Sequence, residues 1–282
     1  MGRWNIRWSI LLVLWCVTGV KLAAMKVESL DRGWFFNRGY ESQAADKVTV
    51  DLPHTWNAAD AMFGNVIYYR GMSTYSRFIV VPSSENFKRV FLRVKAAQTV
   101  ADVYLDNHFV AQHKGVYTSF TVELTHLIRK GEKHKLDIRV SNAQTMEIAP
   151  ICGDFNIWGG LNRGVELLYT DDACIDPTFY GSSGVFFTQC DVSEKYAGLE
   201  MKALLSGTEM ALNDCSIEFS LLDAKRKVVL CKETSVSGKE ALVKMELNNP
   251  HLWDGVNNPY LYTGVVVLKR GGKEIDRREE HV

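Results

Sequence analysis

The stretch RVFLRVKAAQTVADVYLDNHFVAQHKG, residues 89–115, decides the fold. Val90, Leu92 and Val94 alternate with Arg89, Arg93 and Lys95. Successive side chains on a strand point to opposite faces, so this is a strand with one face in a core. VADVYL (100–105) repeats the pattern, Asp106-Asn107-His108 signals a tight turn, and FVAQHKG returns as the hairpin partner.

The alternation spreads outward through SFTVEL (119–124) and KLDIRV (135–140). Roughly eight strands fit between residues 48 and 169, which predicts an all-β fold opening with a jelly-roll β-sandwich. Only LTHLIRKGE (124–132) looks helical, with Thr125 placed to cap a single turn before Gly131. A second strand series starts near Val185 and runs through LEMKALL (199–205), where Leu199, Met201, Ala203 and Leu205 face one way and Glu200 and Lys202 the other. About seven short strands in ~100 residues match the size of an immunoglobulin-like β-sandwich. The turn-rich junction TDDACIDPTFYGSSG (170–184) sets the boundary, giving domains of residues 28–173 and 174–282.

The first 24 residues are different. Arg3 and Arg7 precede the apolar run ILLVLWCVTGV, and KLAA ends in small residues, the layout of a signal peptide over residues 1–24. The run is short of the ~20 residues that span a bilayer, so the expectation is export to the periplasm or beyond, with no membrane partner after signal removal. A signal anchor and a lipoprotein cleavage at Cys16 are the rival readings. Lys+Arg and Asp+Glu each number 33, which gives no electrostatic reason to expect nucleic acid or an anionic membrane as partner. Of six cysteines, five remain beyond the signal, widely spaced. This is not a disulfide framework, and there is no zinc-ligand spacing, so neither a metal nor another cofactor is expected. Cys215 and Cys231, on strands read as neighbours, form the most plausible pair.

The chemistry concentrates in GDFNIWGGLNRGVELL, residues 153–168. Gly159-Gly160 permits close backbone approach or positive φ. Asp154 and Asn156 offer groups that bind sugar hydroxyls, while Phe155 and Trp158 offer faces for a pyranose. The competing reading makes Asp154 a turn cap and the aromatics core. His54 in LPHTWNAAD (52–60) reads as a hydrogen-bonded turn residue, Arg70 and Arg163 as braces to carboxylates, and Trp253 as an interdomain plug. No G-x-S-x-G is present, and adjacent pairs such as Asp171-Asp172 point to opposite faces of a strand, unsuited to glycosidic cleavage.

Five motifs occur one after another in a familiar order: LPHTWNAAD (52–60), YYRGMSTYSRFIVV (68–81), VYLDNHFVAQHKGVYTSFTVELTHLI (103–128), DFNIWGGLNRGVELL (154–168) and NPHLWDGVNNPYLYT (249–263). With them the chain resembles the amino-terminal part of glycoside hydrolase family 2, the β-galactosidase, β-glucuronidase and β-mannosidase family, from about Trp34 to the end. The resemblance implies a galactose-binding-like jelly roll, then an immunoglobulin-like sandwich, then a catalytic (β/α)8 barrel docked on both. The family's acid/base glutamate comes directly after an asparagine, and this sequence has no Asn-Glu dipeptide. The chain is therefore expected to be the non-catalytic front of a secreted exo-β-glycosidase, most of all a β-galactosidase, without catalytic residues of its own. The resemblance further implies that Asp154 reaches the terminal sugar of a β-linked oligosaccharide, with Asn65 a weaker candidate; Trp158 remains the candidate that the residues themselves offered for the sugar face. The family's usual Arg-Asp-Val reads Arg163-Gly164-Val165 here, which puts a local salt bridge in doubt. Two rival functions stand beside this one: a stand-alone periplasmic carbohydrate-binding module, and an adhesin-like structural pair of sandwiches.

Overall fold

Alternation in sequence becomes pairing in space. The computed structural model describes residues 25–39, 48–60, 68–84, 86–149 and 157–282. The segment read as an export signal lies outside them.

The first ten strands are β1 (Lys26–Ser29), β2 (Trp34–Arg38), β3 (Val48–Val50), β4 (Met72–Val80), β5 (Arg89–Val94), β6 (Val100–Leu105), β7 (His108–Lys114), β8 (Phe120–Glu123), β9 (Lys133–Ser141) and β10 (Val165–Thr170). They form a six-stranded sheet of order β3-β2-β4-β9-β6-β7 and a four-stranded sheet of order β1-β10-β5-β8. Every pairing is antiparallel, which lets one face of each sheet be apolar and the other polar. Trp34, Tyr75, Leu92, Leu136, Ile138 and Leu167 fill the space between the sheets and are fully buried. The β6–β7 hairpin turns as the sequence predicts: Leu105 faces His108, and Asp106 and Asn107 carry the two positive φ values, 50° and 67°.

The second series comprises β11 (Cys174–Ile175), β12 (Val185–Cys190), β13 (Tyr196–Ser206), β14 (Cys215–Leu222), β15 (Val228–Ser235), β16 (Glu240–Asn248), β17 (Thr263–Arg270) and β18 (Lys273–His281). Strand β13 pairs with β11 and β12 on one edge and β16 on the other, and a second sheet runs β15-β14-β17-β18. Leu199, Met201, Ala203 and Leu205 all face the core, joined there by Ile217, Phe219, Val266 and Leu268. A short helix α1 (Glu209–Asn213) links β13 to β14, its first turn capped by the Thr208 hydroxyl, which accepts from the Ala211 amide.

Three expectations are corrected. Residues 124–132 form turns, with the Leu127 and Ile128 amides both donating to the Leu124 carbonyl. The Thr125 hydroxyl caps nothing there. It accepts from the Val90 amide at 3.1 Å and bonds the Glu123 carboxylate at 2.7 Å, so it is committed to the sheet. Cys215 and Cys231 are free, although their strands are neighbours. Cys231 lies opposite Ser220, five residues along β14 from Cys215. At about 3.4 Å per residue that is roughly 17 Å, far beyond disulfide reach. Trp253 is not a plug, since it is 65% exposed.

The junction is instead filled by Phe91, Leu168 and Cys174, all fully buried, with Met25 against them. Polar ties surround this plug. Arg89 pairs with Glu123 at 2.7 Å and donates to the Ser206 hydroxyl at 2.9 Å, linking β5 to β13. Arg270 reaches Asp172 at 2.6 Å. The buried Arg278–Asp276 pair on β18 holds the junction backbone, with Asp276 accepting from the Ile175 amide and Arg278 donating to the Ile175 and Ser183 carbonyls. Asp276→Ala would leave a buried guanidinium without its counter-charge and the Ile175 amide without its acceptor, so urea denaturation should show a loss of about 3–5 kcal/mol. A loss within a few tenths of that of an exposed-site control would contradict this account of the junction.

Candidate functional site

The strongest local constraint lies where two chain segments touch. Residues 54–56 run against 159–161: His54 N donates to Leu161 O at 2.9 Å, and Trp56 N to Gly159 O at 3.0 Å. The Gln98 amide donates to the Gly160 carbonyl from the other side at 3.0 Å. A Cβ on Gly159 would sit 2.0 Å from the Trp56 ring. At Gly160, where φ is 140°, it would sit 2.3 Å from the His54 carbonyl oxygen. The glycine pair therefore exists for close approach, and the LPHTW segment is what it approaches.

Two buried asparagines then fix the neighbouring backbone. Asn57 and Asn142, 1% and 0% exposed, each donate to the Ile157 carbonyl at 3.0 Å. Asn57 also accepts from the Gly159 amide at 3.0 Å, and Asn142 from the Gly71 amide at 2.8 Å. Both side chains reach the Tyr69 carbonyl as well, at 3.5 and 3.4 Å. Buried amides that meet donors and acceptors on several segments hold those segments in one geometry. Asp60 adds a further tie, accepting from the Tyr69 amide at 3.0 Å while paired with Arg38 at 3.2 Å. Arg38 also donates to the Trp56 carbonyl and lies over the Tyr69 ring.

This clamp joins the described residues that flank two segments lying outside them. Residues 61–67 run between Asp60 and the Tyr68-Tyr69 pair, and residues 150–156 end at Ile157. Asn65 and Asp154, the predicted sugar-binding residues, fall in those two segments, outside the described residues. Trp158 is described: it is half-buried between the clamped Ile157 and Gly159. The structure thus brings the residues that flank both candidate segments to one end of the jelly roll, with Trp158 beside them.

The remaining candidates are structural. His54 is a hydrogen-bonded turn residue, its Nδ1 2.8 Å from the Tyr75 hydroxyl. Burial, with the Arg38 charge as the lesser cause, holds its imidazole below the ordinary value of 6.5. Arg70 braces a loop through the Asn142 carbonyl, not a carboxylate. Arg163 is exposed and meets no carboxylate among the described residues. No cluster of three or more His, Cys, Asp or Glu suited to a metal occurs among the described residues. Sequence reasoning missed the asparagine clamp. Asn57 carried a weak signal, a polar residue inside LPHTWN, whereas Asn142 carried none beyond its place after an alternating strand.

Comparisons with known proteins identify the family and the fold. The model for glycosyl hydrolases family 2 matches residues 184–282, and the model for the glycosyl hydrolase 2 galactose-binding-like domain matches residues 66–150. A β-glucuronidase of Bacteroides fragilis is 36% identical over 253 residues, covering 88% of this chain and 36% of that protein. Among solved structures, a putative β-galactosidase from Bacteroides fragilis superposes with a TM-score of 0.87 at 29% identity, covering 92% of this chain and 41% of the other. An FMN-binding β-glucuronidase from Faecalibacterium prausnitzii L2-6 gives 0.82 at 30%, covering 92% and 39%. Two antiparallel sandwiches, the first with a loop clamp at its end, define the galactose-binding-like and immunoglobulin-like class. The chain belongs to glycosyl hydrolase family 2. It spans roughly a third of the length of the curated relatives it matches.

Two outcomes test the clamp. Asn142→Leu leaves the Gly71 amide without its partner, and the loss should be about 1–3 kcal/mol. Hydrogen exchange at Gly71 and Gly159 should quicken by more than the global change accounts for, and unchanged exchange would remove the clamp. His54 tests the pH response. Its folded-state value is lowered, so the unfolded chain takes up a proton that the folded chain resists. Its contribution is complete above about pH 6.5 and is lost as the pH falls below that. On going from about pH 7.5 to about pH 5.5 the urea midpoint should fall further in the native chain than in His54→Gln.

Proposed function

We propose that this chain is the non-catalytic, substrate-presenting front of a retaining exo-β-glycosidase that works with a (β/α)8 catalytic barrel. The observation that carries the reading is the clamp, which holds the residues flanking the Asn65 and Asp154 segments together at one end of the jelly roll. A sugar-binding carboxylate is useful to catalysis only when its loop is held in a fixed position relative to the reacting bond. Asp154 would bind hydroxyls of the terminal sugar, and Trp158 would support the loop or the sugar face. The barrel would supply both carboxylates, with retention through a covalent glycosyl-enzyme. We further propose export directed by residues 1–24.

The substrate we favour is a β-glucuronide. That departs from the β-galactoside the sequence alone suggested. The support is in the names of relatives: the 36% identical relative is a β-glucuronidase, and relatives named β-galactosidase are about a quarter identical. The β-galactoside remains the alternative, favoured by the fold likeness to the putative β-galactosidase of Bacteroides fragilis.

An antibody to residues 25–282 should detect, in fractionated extracts of the source organism, an exported product far larger than 31.9 kDa. That product should cleave 4-nitrophenyl β-glucuronide faster than the β-galactoside. In it, Asp154→Ala should lower kcat/KM by roughly 30-fold or more, the loss of a charged hydrogen bond worth about 2–3 kcal/mol, with an unchanged melting temperature. Unaltered kinetics would remove Asp154 from the site, and a product of the chain's own size would favour a stand-alone binding module.

A further inference from the structure

A second place on this chain has the makings of a sugar site, and it shares no residue with the loop clamp. It is a cleft of ≈ 620 Å³ between the two sandwiches. One wall is made by β7 and β8, and the other by the junction residues Asp176–Gly181.

Its most unusual feature is Tyr180. The side chain is 89% exposed, and the backbone sits at φ 47°, ψ 32°. The left-handed region disfavours any residue with a Cβ, and an aromatic ring left in water gains nothing from burial in return. Glycine or asparagine would suit this turn better on local grounds. The conformation is nonetheless enforced. Gly181 lies against Ser119, where a Cβ would come 2.2 Å from the Ser119 carbonyl oxygen, and the Ser119 hydroxyl donates to the Gly181 carbonyl at 2.8 Å. Phe179 meets the Tyr180 ring edge-on at 4.9 Å and is itself set edge-on against Phe186 at 6.0 Å. The fold therefore holds the backbone that presents this aromatic ring at the rim of a cleft.

The opposite wall has spare hydrogen-bonding capacity at fixed positions. The Gln112 amide nitrogen donates to Asp102 at 2.8 Å, which orients the group and leaves its carbonyl oxygen available. The His113 ring stacks on Phe120 at 4.5 Å and uses Nε2 toward the Thr118 hydroxyl, leaving Nδ1. On the junction side, Asp176 Oδ1 is occupied by the Thr178 amide and hydroxyl, which holds the carboxylate and leaves Oδ2. Lys114 is paired with Glu147, and the Asp176 carboxylate, which also acts on the Arg89 charge, faces the cleft. An aromatic face opposed to oriented amide, imidazole and carboxylate groups suits a pyranose: an apolar CH face on one side, vicinal hydroxyls on the other. The Asp176 carboxylate disfavours an anionic sugar. We propose that this interdomain cleft is a second carbohydrate site, taking a neutral hexose unit of a longer glycan with its apolar face on Tyr180 and its hydroxyls on Gln112 and Asp176.

The test is amide chemical-shift titration of the ¹⁵N-labelled chain with lactose and cellobiose as neutral β-linked probes and glucuronic acid as the anionic one. A neutral disaccharide should shift amides in residues 112–121 and 176–181 with millimolar affinity, and glucuronic acid should not. Tyr180→Gly relieves the backbone and should keep or raise the melting temperature while weakening binding at least tenfold. Gln112→Ala should weaken it several-fold, and Asp154→Ala should leave it unchanged. Silence of the cleft toward both disaccharides, or equal affinity in Tyr180→Gly, overturns the proposal. Shifts that vanish in Asp154→Ala would place the sugar at the loops, overturning this site while supporting the first. Loss of the first reading shows separately, as unaltered hydrolysis by Asp154→Ala in the larger product.

Discussion

The loop end of the jelly roll depends on one close approach, that of the Gly159-Gly160 backbone to the Trp56 ring and the His54 carbonyl. A single methyl at either glycine would overlap atoms that belong to a packed core, where displacement is costly. Because the two segments can touch, two backbone hydrogen bonds form across them, from His54 and Trp56, and Gln98 adds a third to Gly160 from the other side. Those bonds place the Ile157 carbonyl where Asn57 and Asn142 can both reach it. The asparagines in turn capture Tyr69 and Gly71. Steric permission at two glycines thus propagates, through directional hydrogen bonds, into a fixed spacing between two loop roots.

The same logic governs the junction between the sandwiches. A purely apolar seam would let two curved sheets slide. Here a small plug of Phe91, Leu168 and Cys174 is ringed by ion pairs, of which Arg89–Glu123 and Arg270–Asp172 join different elements and Arg278–Asp276 lies within β18. Cys174 illustrates why the four described cysteines stay free. Burial, together with the Asp276 charge, pushes its thiol up to about 12, so it stays protonated and packs as a small hydrophobe. The cleft proposed as a second sugar site is a consequence of this seam, since the turn that displays Tyr180 belongs to the connection that also supplies Cys174 and Ile175.

Much of the architecture was legible because period-two alternation reports burial directly, residue by residue. LEMKALL shows this: its four inward residues are buried and its charged ones are not. The Asp106-Asn107 turn was legible because backbone sign restricts residue type. What escaped was long-range and polar. The partners Asn57 and Ile157 stand 100 residues apart, and nothing local distinguishes a clamping asparagine from one in a surface turn. Trp253 misled because size suggests burial, yet the loop 249–262 lays it on the surface, 65% exposed, beside a pocket it shares with Tyr260, Tyr262 and Val282. Thr125 misled because a hydroxyl before an apolar run signals a helix cap, while in the fold a neighbouring strand edge offered it better partners.

Gly164 shows how a local departure from a family pattern is resolved in space. The pattern this region resembles has a carboxylate between its arginine and valine, and here there is none. The structure puts a carboxylate in that neighbourhood from 134 residues away: Asp31 accepts from the Val165 amide at 2.9 Å. Its Oδ1 lies 2.7 Å from where a Cβ on residue 164 would stand. The two cannot coexist unmoved, because any side chain at 164 would press on Asp31. Asp31 is also committed through its backbone, its carbonyl accepting from the Leu52 amide at 2.7 Å. That bond lies at the entrance to the LPHTW segment against which Gly159 and Gly160 pack. Glycine at 164 is therefore not simply a lost salt bridge. It gives Asp31 the room to tie the start of the chain, the glycine loop and its bracing segment together, while Arg163 is released to solvent.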